Sequence, residues 1–170
     1  VQISLKWPND VLFEGDKLAG ILIETAWSTA DASAVVIGIG TNVKGADELA
    51  AKVGALNAGA PAQTRGTTPT ALSRALPNAN LTDTLAAELN ALEPALQRFA
   101  AEGFAPFRAR WNACHGYAGR EVVLVEQGVE LMRGVAAGVD DSGLLLLDTA
   151  TGREAISTGD VSLRLADGVA

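Results

Sequence analysis

The chain opens on alternation. In VQISLK, Val1, Ile3 and Leu5 point one way while Gln2, Ser4 and Lys6 point the other, the period-two pattern of a half-buried strand. WPND then reads as a turn, because Pro8 fixes φ and Asn9 and Asp10 favour turn geometry. VLF and LAGILIETAW flank EGDK, a hairpin pattern with Glu14-Gly15-Asp16 in the connection. TADAS is a further turn and AVVIGIG a further strand. Neighbouring strands with short links predict an antiparallel meander.

The period then changes. ADELAAKVGAL predicts a short helix, NAGAPAQTRGTTP a loop, and TPTALSRAL a helical turn with Thr68 as N-cap and Pro69 in its first turn. Leu81, Leu85, Leu89, Leu92, Leu96 and Phe99 recur at helical spacing. Asn80 can cap that helix, Asp83 suits its N-terminal end and Gly103 ends it. Pro94 costs about 3 kcal/mol inside a helix, so a kink or restart is expected there. Burying the six large side chains would outweigh that cost. FAPFRARWNAC predicts a second helix with Phe104, Phe107 and Trp111 on one side. After HGYAGR the period returns to two. EVVLVEQ, VELMRGVAAGV, LLLLDT, REAIST and VSLRL read as five short strands split by Gly and Asp turns, the size of a small SH3-like barrel. The boundary falls near Gly116–Gly119.

The chain has 170 residues, 48% of them hydrophobic, enough for a core. Thirteen basic against twenty acidic residues leave a formal charge of −7, the wrong sign for a nucleic-acid footprint, although a local cationic site could still take an anion. Cys114 is the one cysteine, so no intrachain disulfide forms, and a reducing cytoplasm fits. No apolar run reaches the roughly 20 residues of a spanning helix, so no membrane partner is expected. The chain begins at Val1 inside a strand pattern without an initiator methionine, which leads us to expect an upstream portion.

The chemistry concentrates in VVIGIGTNV. Alternate residues of a strand share a face, so Gly38, Gly40 and Asn42 lie in phase, opposite Ile37, Ile39 and Thr41. One face is bare and ends in an amide. Each interior glycine weakens a strand by roughly 0.5–1 kcal/mol, so the bare face leaves room for a ligand or for a closely packed helix. In the preceding strand Gly20 again removes a side chain, Leu22 follows it in phase, and Lys17 stands at the entrance. A flat ligand across Gly20, Gly38 and Gly40 would meet Lys17 at one end and Asn42 at the other. Simple alternation puts Lys17 on the opposite face from Gly20, so this picture requires a bend or bulge between them. Other chemistries find no support. GIGTNV lacks the third glycine of a dinucleotide fingerprint. His115 is the sole histidine and Cys114 a single thiol, too few for a zinc cluster of those residues, and side by side they read as structural.

Three segments in order, KWPND at Lys6–Asp10, KLAGILIE at Lys17–Glu24 and GIGTNV at Gly38–Val43, resemble the biotin–protein ligases, that is, the biotin–[acetyl-CoA carboxylase] ligases. FAAEGFAPFRARWN resembles the family's helical region, and GVDDSGLLLL with GDVSLR its small C-terminal barrel. The resemblance implies an α+β fold. Residues 1–117 would form part of the catalytic core, a class II synthetase-like mixed or antiparallel sheet with packed helices, and residues 118–170 an SH3-like β-barrel. It implies ATP-dependent conversion of biotin to biotinyl-5′-adenylate, with Mg²⁺ accompanying the triphosphate. Biotin then passes to a lysine of a biotin carboxyl carrier protein. Under it Lys17 is the catalytic lysine and touches biotin, and Gly20, Leu22, Gly38 and Gly40 form the biotin wall. Asn9, Asp10, Asn42 and Arg164 would face the adenylate, and no residue is assigned to a metal. It also implies a homodimer as one mode of association. The family's glycine- and arginine-rich adenylate segment, which lies upstream of KWPND, is not in this sequence. The alternatives are a lipoate–protein ligase of similar fold and a non-catalytic biotin-binding module.

Overall fold

The computed structural model describes residues 2–29, 32–60, 65–157 and 161–166. The turn over TADAS, the loop at 61–64 and parts of REAIST and GDVSLR lie wholly or partly outside these residues. Four strands, β1 (Ile3–Lys6), β2 (Asp10–Phe13), β3 (Asp16–Ser28) and β4 (Ser33–Thr41), form an antiparallel sheet in sequential order. The sheet is antiparallel throughout rather than mixed. The β2–β3 hairpin closes through Glu14 and Gly15, both at positive φ, with Phe13 opposite Asp16. That is a two-residue turn whose twist matches the flanking strands.

Helix α1 (Asp47–Asn57) follows, then a 3₁₀ turn at Leu72–Arg74. Thr68 and Pro69 do not begin that turn. They run extended beside Lys17, whose N–H donates to the Thr68 carbonyl (2.7 Å) and whose carbonyl accepts from the Thr70 N–H (2.9 Å). Helix α2 (Leu81–Glu102) is capped by Asn80, whose side chain accepts from the Asp83 N–H, and it runs through Pro94 without restarting. Gly103, at φ 69°, ends it. The leucine stripe is not buried as its spacing suggests: Leu81, Leu85, Leu89, Leu96 and Phe99 are all exposed. A second stripe (Thr84, Ala87, Glu88, Ala91, Leu92, Ala95) faces the sheet instead. It stands across a groove of about 820 Å³ from Val11, Ala19, Ile21 and Ile39. Small alanines allow approach but leave the large side chains without an opposing surface.

Helix α3 (Ala105–Ala113) leads into β5 (Glu121–Glu126), β6 (Val129–Val139), β7 (Leu145–Thr149), β8 (Gly152–Ile156) and β9 (Val161–Leu165). These five strands form one antiparallel sheet in the order β8-β7-β6-β5-β9. It is not a closed barrel among the described residues, because β9 pairs with β5 and β8 with β7, which leaves β8 and β9 at opposite edges.

The two sheets share one core. Trp7 and Leu12 of the first pack with Tyr117, Val122, Leu124, Val139, Leu145, Leu147 and Leu163, and Phe104 and Trp111 close the side. Polar ties cross the same junction. The Trp7 indole donates to the Gly143 carbonyl (3.3 Å). The N–H of Leu5 donates to the Cys114 carbonyl (2.7 Å), and Gly116 returns a bond to Leu5 (2.9 Å). The Asn112 side chain mimics a neighbouring strand, accepting from the Val139 N–H (2.8 Å) and donating to its carbonyl (3.2 Å). Gly138, at φ 104°, makes this possible, since a Cβ there would come within 2.6 Å of Asn112 Oδ1.

Asn112→Ala should therefore destabilise the fold by about 1–3 kcal/mol, read from the urea midpoint, because two backbone groups of β6 lose their partner. His115 supplies a second prediction. It is buried against Trp111, and neither ring nitrogen meets a hydrogen-bond partner among the described residues. Burial pulls its pKa from 6.5 to about 4. Between those values the unfolded chain binds a proton that the folded chain does not, so stability should fall as pH drops from 6.5 toward 4. His115→Phe should flatten that part of a melting-temperature profile against pH; an unchanged slope would assign it to other groups.

Candidate functional site

Register places the site. Lys6 pairs with Asp10, Asp10 with Gly20, and Gly20 with Gly40, so one row crosses all four strands on one face. Leu22 pairs with Gly38 in the next row of that face. The rows out of phase with these, Val11–Ala19–Thr41 on one side of Gly20 and Ile21–Ile39 between Gly20 and Leu22, face the other way, toward α2. The helices therefore do not fill the glycine face. Among the described residues a Cβ on Gly38 would find nothing nearer than the Leu22 carbonyl at 3.8 Å, and one on Gly40 nothing nearer than the Gly20 carbonyl at 3.9 Å. No described side chain covers the bare shelf.

The bulge that the sequence requires is at Leu18. Val11 pairs with Ala19 but Leu12 with Lys17, so Leu18 is the extra residue. This turns the Lys17 side chain onto the glycine face, where its Nζ lies 3.1 Å from the place a Gly20 Cβ would occupy. A side chain at position 20 would crowd the Lys17 ammonium, which lies across the space that Gly20 leaves. The bulge is held on both sides, by the Thr68–Thr70 segment and by Asn42, whose N–H donates to Leu18 (3.0 Å) and whose amide donates to the Lys17 carbonyl (3.3 Å). Asn9 holds the other end: its amide donates to the Ile21 carbonyl (2.8 Å), while the Ile21 N–H donates to the Asn9 carbonyl (2.9 Å).

At the head of the shelf Asp10 sits between two ammonium groups, with Oδ1 2.5 Å from Lys17 Nζ and Oδ2 3.0 Å from Lys6 Nζ. Burial pushes the Asp10 carboxyl up, but the Lys17 bond and the Lys6 charge prevail and hold it below its ordinary value. Burial lowers the Lys6 ammonium's pKa, with Asp10 opposing. Lys17 is 40% exposed and faces the opening; the Lys6 side chain, at 5%, is sealed in and also donates to Thr67 Oγ1 (3.2 Å). Arg164, on β9, lines the same cavity of about 300 Å³ together with Ser162, Asn9 and Thr67. Among the described residues three cations line this cavity against one carboxylate, a local excess of positive charge in a chain whose overall charge is negative. Among the described residues no group of three His, Cys, Asp or Glu side chains could hold a metal ion.

The structure thus gathers Lys17, Gly20, Leu22, Gly38, Gly40, Asp10, Asn9 and Arg164 on or beside one face, with Asn42 beneath the bulge. Lys6, Thr67 and Ser162, which also line this site, escape sequence reasoning. Alternation assigns Lys6 to the solvent side of β1, yet it is the buried member and Ile3 the exposed one. The one available signal was its place directly before the WPND turn, opposite Asp10. Thr67 had none.

Residues 117–164 match the family profile described as Biotin protein ligase C terminal domain, and residues 1–42 match the Biotin/lipoate A/B protein ligase family. A Biotin–[acetyl-CoA-carboxylase] ligase of Paracoccus denitrificans is 36% identical over 166 residues, which cover 94% of this chain and 62% of that protein. The Bifunctional ligase/repressor BirA of Escherichia coli K12 is 31% identical over 168 residues, 98% of this chain and 48% of the relative. The solved biotin protein ligase from Aquifex aeolicus in complex with biotin and ATP superposes with a TM-score of 0.74 at 26% identity, over 98% of this chain and 63% of that one. The chain therefore spans about half to three-fifths of these relatives' length.

Because the shelf is open and neither Gly38 nor Gly40 has a positive φ, Gly38→Ala and Gly40→Ala should fold normally and gain about 0.5–1 kcal/mol each in chemical denaturation. A loss of more than 1 kcal/mol at either would mean that the protein itself packs on the shelf.

Proposed function

We propose, from the premise that this chain belongs to the biotin protein ligase family, that it carries the biotin-activating face of a biotin–[acetyl-CoA carboxylase] ligase. The single observation that supports this reading is the open glycine shelf with an ammonium group lying at its head. A flat bicyclic ring needs a bare backbone surface, and its carboxylate needs a cation at the end of the chain. Gly20, Leu22, Gly38 and Gly40 supply the surface and Lys17 the cation.

In this reading the biotin carboxylate attacks the α-phosphorus of ATP and pyrophosphate leaves. Lys17 brings the two anions together and stabilises the charge that develops between them. Asn9 and Asp10 face the adenylate. Arg164 reaches it from β9, which gives the second sheet a role in the site; we read that sheet as an SH3-like unit, residues 118–170, joined to the catalytic residues 1–117. Asn42 acts mainly by holding the bulge. Mg²⁺ travels with the triphosphate as part of the substrate. In the second step a lysine amine of a biotin carboxyl carrier protein attacks the acyl carbon and AMP leaves. ATP chemistry of this kind suits a cytoplasmic setting, and the exposed edge of β4 suits a homodimer. The match at residues 117–164 to a biotin ligase domain favours biotin over lipoate, since the match at residues 1–42 covers both.

Lys17→Ala in the full-length protein should reduce biotin-dependent ATP–pyrophosphate exchange by about 10²-fold or more, with the circular dichroism spectrum and melting temperature retained. Near-normal exchange would remove Lys17 from its assigned role. Biotin binding by the wild type without any exchange would identify a binding module instead of an activating enzyme.

A further inference from the structure

The Lys17 ammonium is already engaged. The side chain lies across Gly20 with its ammonium on Asp10, so an entering carboxylate must take Lys17 from Asp10 before it can use it. The ease of that exchange depends on what else holds Asp10. The answer is Lys6, 4% exposed, whose ammonium binds the far carboxylate oxygen at 3.0 Å and Thr67 Oγ1 at 3.2 Å. The two lysines divide the carboxylate, one oxygen each. Removal of Lys17 to a ligand leaves Asp10 paired; without Lys6, it would leave a half-buried carboxylate with no cation bonded to it.

We infer that Lys6 is a positioning residue that acts on Lys17 through Asp10, keeping Asp10 in place and neutralised so that Lys17 can leave it for an anionic ligand. This deepens the biotin reading and rests on it for the identity of the ligand. The geometry favours the role over a merely structural one. A lysine that served packing alone would not need to be buried with both its contacts at the head of the site, and an apolar residue would fill β1 at less cost. Thr67 extends the effect, since the same ammonium ties the 65–69 segment to the shelf. Among the described residues the charged and titratable groups around Asp10 are Lys6 from β1, Lys17 from β3, Arg164 from β9, and Tyr117 from the junction.

The test compares wild type with Lys6→Met, which keeps the volume and removes the charge. Biotin affinity is measured by calorimetry from about pH 8 to about pH 5.5, and the Asp10 carboxyl carbon is titrated by NMR without ligand. In Lys6→Met the Asp10 midpoint should rise, because one of its two cations is gone. Biotin binding near neutral pH should weaken by roughly tenfold, and it should recover as pH falls and Asp10, gaining a proton, releases Lys17. Wild type should show no such recovery. If Lys6→Met unfolds, the double variant Lys6→Met with Asp10→Asn replaces both charges and should bind biotin without pH dependence over this range. An unmoved Asp10 midpoint, or a moved midpoint with unchanged biotin affinity, overturns the inference. Wild type that takes up no biotin while the midpoint still rises in Lys6→Met overturns the biotin reading and retains the Lys6–Asp10 coupling.

Discussion

The site depends on one extra residue in a strand. With a regular β3, Lys17 would point toward α2 and the glycine face would have no charge at its head. Leu18 breaks the register between Val11 and Leu12 and turns the lysine over. A bulge leaves backbone groups unpaired, and here they are reclaimed: the Leu18 carbonyl by the Asn42 N–H, the Lys17 amide and carbonyl by the Thr68–Thr70 segment. The residues around the bulge thus have a mechanical reason for their identity. Asn42 supplies a side-chain donor at the strand end, and Gly20 leaves space for the lysine that the bulge redirects.

The second constraint is the shared core. Trp7 sits in the turn between Lys6 and Asp10, and it is buried among side chains of the second sheet. The turn that presents Asn9 and Asp10 is therefore seated on β5–β7 rather than on its own sheet alone. The same packing delivers Arg164 to the cavity from β9. Sequence distance of more than 150 residues between Lys6 and Arg164 is closed by apolar burial, and the polar ties of Trp7 and Asn112 fix the orientation in which it closes.

Much of this was legible from alternation and from glycine placement. All four strands of the first sheet, α2 with its Asn80 cap and Gly103 end, and the five strands after Gly119 follow from period and turn residues. The phase of Gly38 and Gly40 identified the bare face, and the mismatch of Lys17 with Gly20 pointed to the bulge. What failed did so where tertiary context overrides local pattern. The leucines of α2 carry the helical period, but the alanine stripe meets the sheet. Thr68-Pro69 carries a helix-start signal, but the unpaired groups of the bulge draw it into extended pairing. Lys6 reads as a strand lysine on the polar face, because its place opposite Asp10 across the WPND turn does not show that Thr67, about sixty residues on, closes over it. The five-strand count suggested closure, whereas the pairing leaves the sheet open at β8 and β9.

The sheet has two usable faces, and they differ in kind. The α2 side offers the larger groove, apolar and rimmed by Asp83 and Glu88; the other offers bare backbone and cations. Size alone favours the first, but a carboxylate ligand would meet carboxylates there and ammonium groups on the second. Intermolecular nuclear Overhauser effects between biotin and the protein decide between them directly. Biotin ring protons should show contacts to the α-protons of Gly20, Gly38 and Gly40 and to the Leu22 methyls, with the valeryl chain near Lys17. Contacts to the methyls of Ile21, Ile39, Ala87 and Leu92 instead would place the ligand on the wrong face and contradict the central claim.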